Sequence, residues 1–246
     1  MRVLITGGAG FIGTHLTRKL LAENCAVSIL DNFSPQVHGQ SGALAPDIAS
    51  KVQLFKGSVT DRACMEEALH GQDVIVHFAA ETGTGQSMYE VEKYSHVNIC
   101  GTALLLDILV NQRPKSTVSK IVVASSRAIY GEGRYKCAEH GLVNPGPRQT
   151  ERMARGLFEP TCPICAADCT VAATDELSKL APTSYYGLSK RVQEESVLLF
   201  ARTLGISAFG LRYQNVYGPG QSLKNPYTGV LAVFSNLARA GLDIIT

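Results

Sequence analysis

At 246 residues, with 18% charged side chains and a formal net charge of +2, the chain can bury one sizeable core, and nothing in its charge favours nucleic acid or an anionic membrane as partner. No apolar run approaches the roughly 20 residues of a membrane span, and MRVLITGGAG breaks into glycines too soon for a signal peptide. Seven cysteines without a secretory segment point to a reducing cytoplasm, where thiols serve metal binding or burial rather than disulfides.

In chain order, Arg2–Thr6 (RVLIT) reads as a strand, and the stretch from Phe11 to Glu23 as an amphipathic helix. Ala26–Leu30, Val52–Lys56, Val74–Phe78, Lys120–Ala124 and Ile206–Arg212 are the further strands. Helical patterns over Ala63–Leu69, Ser87–Gln112 and Ser184–Leu204 lie between them. Short apolar runs without strict alternation, separated by helices, predict an α/β fold, a Rossmann-like doubly wound parallel sheet covered on both faces. Two segments break the rhythm. Residues Glu132–Pro182 hold four cysteines, many turn residues and no clear period; Gly218–Thr246 opens on a Pro/Gly turn and continues as an apolar, helix-like run.

Between the first strand and first helix lies TGGAGFIG, in which Gly7, Gly10 and Gly13 space a G-x-x-G-x-x-G turn. Lacking side chains there, backbone N–H groups and the helix N-terminus can approach a pyrophosphate. Asp31 closes the second strand, where a carboxylate can accept hydrogen bonds from a ribose diol and repel a 2′-phosphate, favouring NAD over NADP. Tyr186 and Lys190 stand four apart in YGLSK, on one face of the last long helix. The ammonium is expected to lower the phenol's pKa and let it act as a base. Ser125 and Ser126 follow a strand at the carboxyl edge of the sheet, where ligands bind in open α/β folds.

Cys137-x-x-His140 and Cys162-x-x-Cys165 match the paired short spacings of a closed, structural tetrahedral zinc site, which would order the aperiodic segment; Cys169 could replace His140. Cys25, Cys64 and Cys100 read as small core hydrophobes, and His15 and His77 as structural residues. No partner for His96 is identifiable.

TGGAGFIG, Asp31-Asn32, His77-Phe78-Ala79-Ala80, Asn98-x-x-Gly101-Thr102, SSRAIYG, YGLSK and RYQNVYGPG occur in this order. As a set they resemble the extended short-chain dehydrogenase/reductase superfamily, in its nucleotide-sugar epimerase/dehydratase branch. The resemblance implies Tyr186 as acid/base, Lys190 as its partner and ribose ligand, and Ser126 as the hydroxyl on the reacting sugar oxygen. It further implies Gly7, Gly10, Phe11, Ile12, Gly13, Asp31, Asn32, Ser58, Val59, Phe78, Ala79, Ala80, Asn98 and Tyr213 as cofactor contacts. Thr82, Ser125, Ser126 and Asn215 would meet the substrate, Asn215 at its diphosphate. Ser58 stands where the family usually carries an acid for adenine. Dehydratases and decarboxylases of this branch place an acid just after the catalytic hydroxyl, and here those positions hold Arg127 and Ala128. What remains suits oxidation and re-reduction at one carbinol, an epimerase's chemistry.

PQVHG (35–39), ERMARG (151–156), CPIC (162–165) and NPYTGV (225–230) are similar to dTDP-L-rhamnose 4-epimerases, which implies a dTDP-6-deoxyhexose substrate and a homodimer through the two long helices. Residues 1–216 are then the NAD-binding domain with its insertion, and 217–246 the start of a small, truncated substrate lobe needing about 80–100 further residues. The chain is thus expected to be a fragment that binds NAD but turns over dTDP-sugars poorly. A nucleotide-sugar oxidoreductase, a dehydratase and a non-catalytic NAD-binding protein are the alternative readings.

Overall fold

A computed structural model describes residues 1–39, 42–112, 116–222 and 229–244. In chain order the elements are β1 (Arg2–Thr6), α1 (Phe11–Ala22), β2 (Ala26–Asp31), the short helices α2 (Pro35–His38) and α3 (Pro46–Ala49), β3 (Gln53–Lys56), α4 (Arg62–Leu69) and β4 (Val74–His77). There follow α5 (Val91–Tyr94), α6 (Gly101–Asn111), β5 (Lys120–Ser126), β6 (Tyr135–Cys137), β7 (Gly141–Val143), α7 (Thr150–Met153), β8 (Thr170–Val171), α8 (Tyr185–Leu204), β9 (Ser207–Tyr213) and α9 (Val230–Arg239).

Six strands form one parallel sheet in the order β3-β2-β1-β4-β5-β9. The order reverses direction between β1 and β4, which opens a crevice at the carboxyl ends of those strands. Side chains alternate along each strand between two apolar layers. Val3, Ile5, Val27, Ile29 and Val76 face Leu16 and Leu20 of α1, whereas Leu4, Leu30, Ile75 and Ile121 face Leu105, Leu109 and Val197 of α6 and α8. Burial on both faces is why these strands read as continuous apolar runs.

Three expectations need correction. The predicted helix over residues 87–112 is broken: a 3₁₀ turn at Gln86–Met88, then α5, then a π-helical stretch Ser95–Cys100 leading into α6. The wider turn accompanies Asn98, whose buried amide bonds inward to Glu81 and Ser189. Second, β5 and β9 each run further than their apolar cores, to Ser126 and Tyr213, which are paired in register. Third, the aperiodic segment contains a small antiparallel sheet, β7-β6-β8, whose strands of two or three residues are too short to show a period. The NPYTGV match lies largely outside the described residues, as do Ile245 and Thr246. Among the described residues, no helix is long and apolar enough to cross a membrane.

Candidate functional site

The glycine turn is dictated by sterics. Gly7 has φ +69°, and a Cβ there would sit 2.7 Å from the Ala79 backbone nitrogen. At Gly13 a Cβ would meet Gly8 Cα at 2.6 Å, so α1 can pack this closely only with glycine. Gly10 precedes α1 and is otherwise open: a Cβ there would touch only the Gly7 carbonyl, at 3.3 Å, and would fill the cradle. No acidic residue lies in the first turn of α1, so its free amides present a positive helix end. Asp31 is buried with each carboxylate oxygen fixed by an amide: Ala9 N donates to Oδ2 at 3.0 Å and Phe33 N to Oδ1 at 2.8 Å.

This turn floors a cleft of about 650 Å³. Its wall includes Gly7, Gly10, Phe11, Ile12 and Gly13 of the turn, then Asp31, Asn32, Ser58 and Val59 at one end. Phe78, Ala79, Ala80, Thr82, Ser125, Ser126, Tyr186, Lys190, Tyr213 and Asn215 also line it. Asn98 is the exception among the residues expected to touch the cofactor: it stands behind the wall and holds the Glu81 backbone and Ser189 together. Ser58 shares a hydrogen bond with Thr60 at 2.8 Å. The buried Ser125 hydroxyl has no partner among the described residues, an orphaned polar group on the cleft wall. A bare-backbone cradle at a helix N-terminus, an acid beside it at the end of β2 and an unpaired hydroxyl on its other side, on β5, fit a dinucleotide.

The residues around Tyr186 come from three elements. Ser184 caps α8 by accepting from Gly187 N at 3.1 Å, and Ser87 Oγ accepts from Tyr186 N at 2.9 Å. Gly187 packs so tightly on the 3₁₀ turn Arg127–Tyr130 that a Cβ would lie 2.5 Å from the Ala128 carbonyl. Tyr186 is thereby brought against Ser126. Burial raises its phenol pKa, while the Ser126 hydroxyl and the Arg127 guanidinium pull it back. Arg127 thus adds a cation beside Tyr186 to the expected Lys190, which lines the same cleft.

Lys190 is itself buried, and its Nζ donates to Gln193 Oε1 at 2.6 Å. Burial holds its pKa down at about 7, partly offset by Glu194. Gln193 Nε2 donates onward to Thr102 Oγ1 at 2.8 Å, and Thr102 lies 3.0 Å from His77 Nε2. His77 Nδ1 meets Thr6 Oγ1 at 2.7 Å, and burial, then the charge of Lys190, depresses the ring's pKa to about 3. His77 is thus a neutral structural residue, as expected. Arg212 of β9 grips Glu194 of α8 through three hydrogen bonds of 2.7–3.2 Å, and also donates to Tyr130 Oη at 2.7 Å and the Glu176 carbonyl at 2.9 Å.

Sequence reasoning missed Gln193, Glu194, Arg127 and Glu81. The first two carried a signal, since they stand three and four residues beyond Lys190, around the same helix. Glu81 lines the cleft but pairs with Lys93 at 3.5 Å, a contact no local spacing reveals. PQVHG, in contrast, forms α2 on the cleft wall, with His38 Nε2 at 3.6 Å from Asp31 Oδ1 and Gln36 bonded to Gln86 at 3.0 Å. Outside the lining of this cleft, Cys137, His140, Cys162 and Cys165 converge, with every ligand atom within 4.8 Å of the others.

Fold and cleft together define a Rossmann-type dinucleotide-binding protein with a Tyr/Lys/Ser constellation at the switch point. The model of the NAD dependent epimerase/dehydratase family matches residues 3–246, and the chain belongs to that family. A dTDP-L-rhamnose 4-epimerase of Burkholderia thailandensis is 36% identical over 97% of this chain and 64% of its own length. The UDP-glucose 4-epimerase of Thermotoga maritima, solved with UDP-glucose, superposes with a TM-score of 0.73 at 28% identity over 99% of this chain and 65% of that one. The Thermus thermophilus UDP-glucose 4-epimerase, solved with NAD, gives 0.73 at 28% over 99% and 64%. The chain spans just under two thirds of the length of these relatives.

Proposed function

We propose that the chain carries the NAD-binding and catalytic part of a nucleotide-sugar 4-epimerase whose substrate is a dTDP-6-deoxyhexose, dTDP-L-rhamnose or its C4 epimer. One observation carries the reading. Tyr186 faces a hydroxyl and a guanidinium, and the two residues after Ser126 offer no carboxylate to eliminate water or carbon dioxide. Bound NAD would supply a two-electron acceptor at C4 that is restored within each turnover. Tyr186 would take the C4 hydroxyl proton and later return it. Ser126 would hold the same oxygen, and its own oxygen is kept in place by the Ala128 amide at 3.1 Å. Arg127 would favour the phenolate, and the α1 N-terminus with Gly7, Gly10 and Gly13 would receive the cofactor's pyrophosphate.

Residues 1–216 serve in this reading as the NAD-binding domain and 217–246 as the start of a substrate lobe, with Asn215 and Thr82 at the nucleotide sugar. A cytoplasmic homodimer belongs to it too; Leu188, Leu199 and Phe200, left exposed on α8, support that assembly. The test is direct. The purified chain should retain NAD and convert dTDP-L-rhamnose into its C4 epimer, though poorly, followed by NMR. Net accumulation of reduced cofactor, or a 4-keto-6-deoxy product from a dTDP-hexose, would overturn the assignment.

A further inference from the structure

The segment that leaves the sheet at Gly131 and returns at Ser184 plays no part in the chemistry above. Its apolar core consists of Tyr135, Cys137, Val143, Cys162 and Cys169, too few residues to order about 50 by burial alone. Two tight turns face each other within it. One runs Cys137-Ala-Glu-His140 between β6 and β7; the other is Cys162-Pro-Ile-Cys165. Each is followed by a residue in the left-handed region, Gly141 at φ +67° and Ala166 at φ +59°. An alanine adopts that conformation at a cost, which surrounding contacts must offset. In the second turn the Ile164 amide points at Cys162 Sγ from 3.5 Å, while Ala166 N donates to the Cys162 carbonyl at 2.9 Å.

The distances decide what this cluster is for. Cys137 Sγ lies 3.7 Å from Cys165 Sγ and 3.6 Å from His140 Nδ1; Cys162 Sγ lies 3.7 Å from the same nitrogen. A disulfide requires about 2.05 Å, so the Cys137 and Cys165 sulfurs are not bonded. A tetrahedral zinc with Zn–S near 2.3 Å and Zn–N near 2.05 Å has S···S edges of about 3.8 Å and S···N edges of about 3.5 Å. These three separations match those edges, and the remaining ones lie within 4.8 Å. Cys169 borders the set, its thiol interacting with those of Cys137 and Cys162, but it is not among the four mutually close ligand atoms, and its Sγ bonds the Ala167 carbonyl at 3.8 Å.

The geometry points to one Zn²⁺ held by Cys137 Sγ, His140 Nδ1, Cys162 Sγ and Cys165 Sγ, with no coordination position left for substrate. Binding releases the thiol protons to solvent, and the Ile164 amide then donates to a thiolate. The site fastens the outer end of a module whose base is tied to the segments bearing Ser126 and Tyr186. Ala181 N donates to the Ile129 carbonyl at 3.0 Å, and Arg134 pairs with Asp175 at 2.8 Å. The zinc is therefore a structural staple of the neck between two site segments, outside the cleft lined by Tyr186 and Ser126.

The test reads metal directly and stands apart from the epimerase assignment. The full chain, expressed with supplemented zinc and purified without chelator, should carry one zinc per molecule by mass spectrometry. After exchange with Co²⁺ it should show intense tetrahedral d–d bands with thiolate-to-metal charge transfer. Cys162→Ser should lose the metal, whereas Cys169→Ser should keep one zinc and the cobalt spectrum. Where Cys162→Ser fails to fold, the cobalt spectrum of the unmodified chain decides. Wild-type protein with less than about a fifth of an equivalent of zinc, an octahedral cobalt spectrum, or loss of metal in Cys169→Ser would overturn the site.

Discussion

Replacing Lys190 by methionine keeps most of the buried volume and removes one titration, so it isolates the cost of burying that ammonium. In the fold Lys190 is held at about 7, against 10.5 for an exposed lysine. Between those values the unfolded chain binds a proton that the folded chain has released, so stability rises with pH through that window. Below about 7 both states are protonated and the dependence vanishes. The slope approaches about 1.4 kcal/mol per pH unit. From pH 7, where about half the folded molecules carry the charge, to pH 9, where almost none do, the gain is about 2 kcal/mol. The variant leaves Gln193 Oε1 without its donor, but that cost does not vary with pH. Urea denaturation of both proteins at pH 7 and 9, at fixed ionic strength, gives the double difference. Wild type should gain about 2 kcal/mol more than Lys190→Met on raising the pH. Equal gains within about 0.5 kcal/mol would show that Lys190 is not held neutral by burial and would refute the reasoning.

Arg127→Ala should move the acidic limb of the kcat/KM profile to higher pH, because the guanidinium is a cation that lowers the Tyr186 pKa; an unmoved limb with reduced kcat would contradict that role. Glu194→Gln should destabilise the chain by about 3 kcal/mol, since it leaves the Arg212 charge half-satisfied beside Tyr130, and urea melts should detect it without a change in NAD stoichiometry.

Much of this was readable beforehand, and the reasons are physical. Strands buried on both faces announce themselves as apolar runs, and glycine at Gly7, Gly10 and Gly13 leaves backbone exposed in a pattern few other sites need. The paired C-x-x-H and C-x-x-C spacings were visible because each turn brings its two ligand atoms together locally. What stayed hidden depends on contacts distant in sequence. The break in the long helix follows from Asn98 reaching Glu81 and Ser189, and the role of Arg127 follows from Gly187 seating α8 against Ala128. The surroundings of Lys190 were hidden for a related reason. Its amine donates to Gln193, part of a buried chain through Thr102 and His77 that sequence spacing does not encode.

The claim that Tyr186 and Ser126 work on one carbinol, with no elimination, is tested most directly in D₂O. The NAD-loaded protein incubated there with dTDP-L-rhamnose should yield the C4 epimer with no deuterium on any ring carbon, because hydrogen leaves and returns to C4 without meeting solvent. Deuterium at C5 or C3, or epimer formed as readily by Tyr186→Phe, would contradict it.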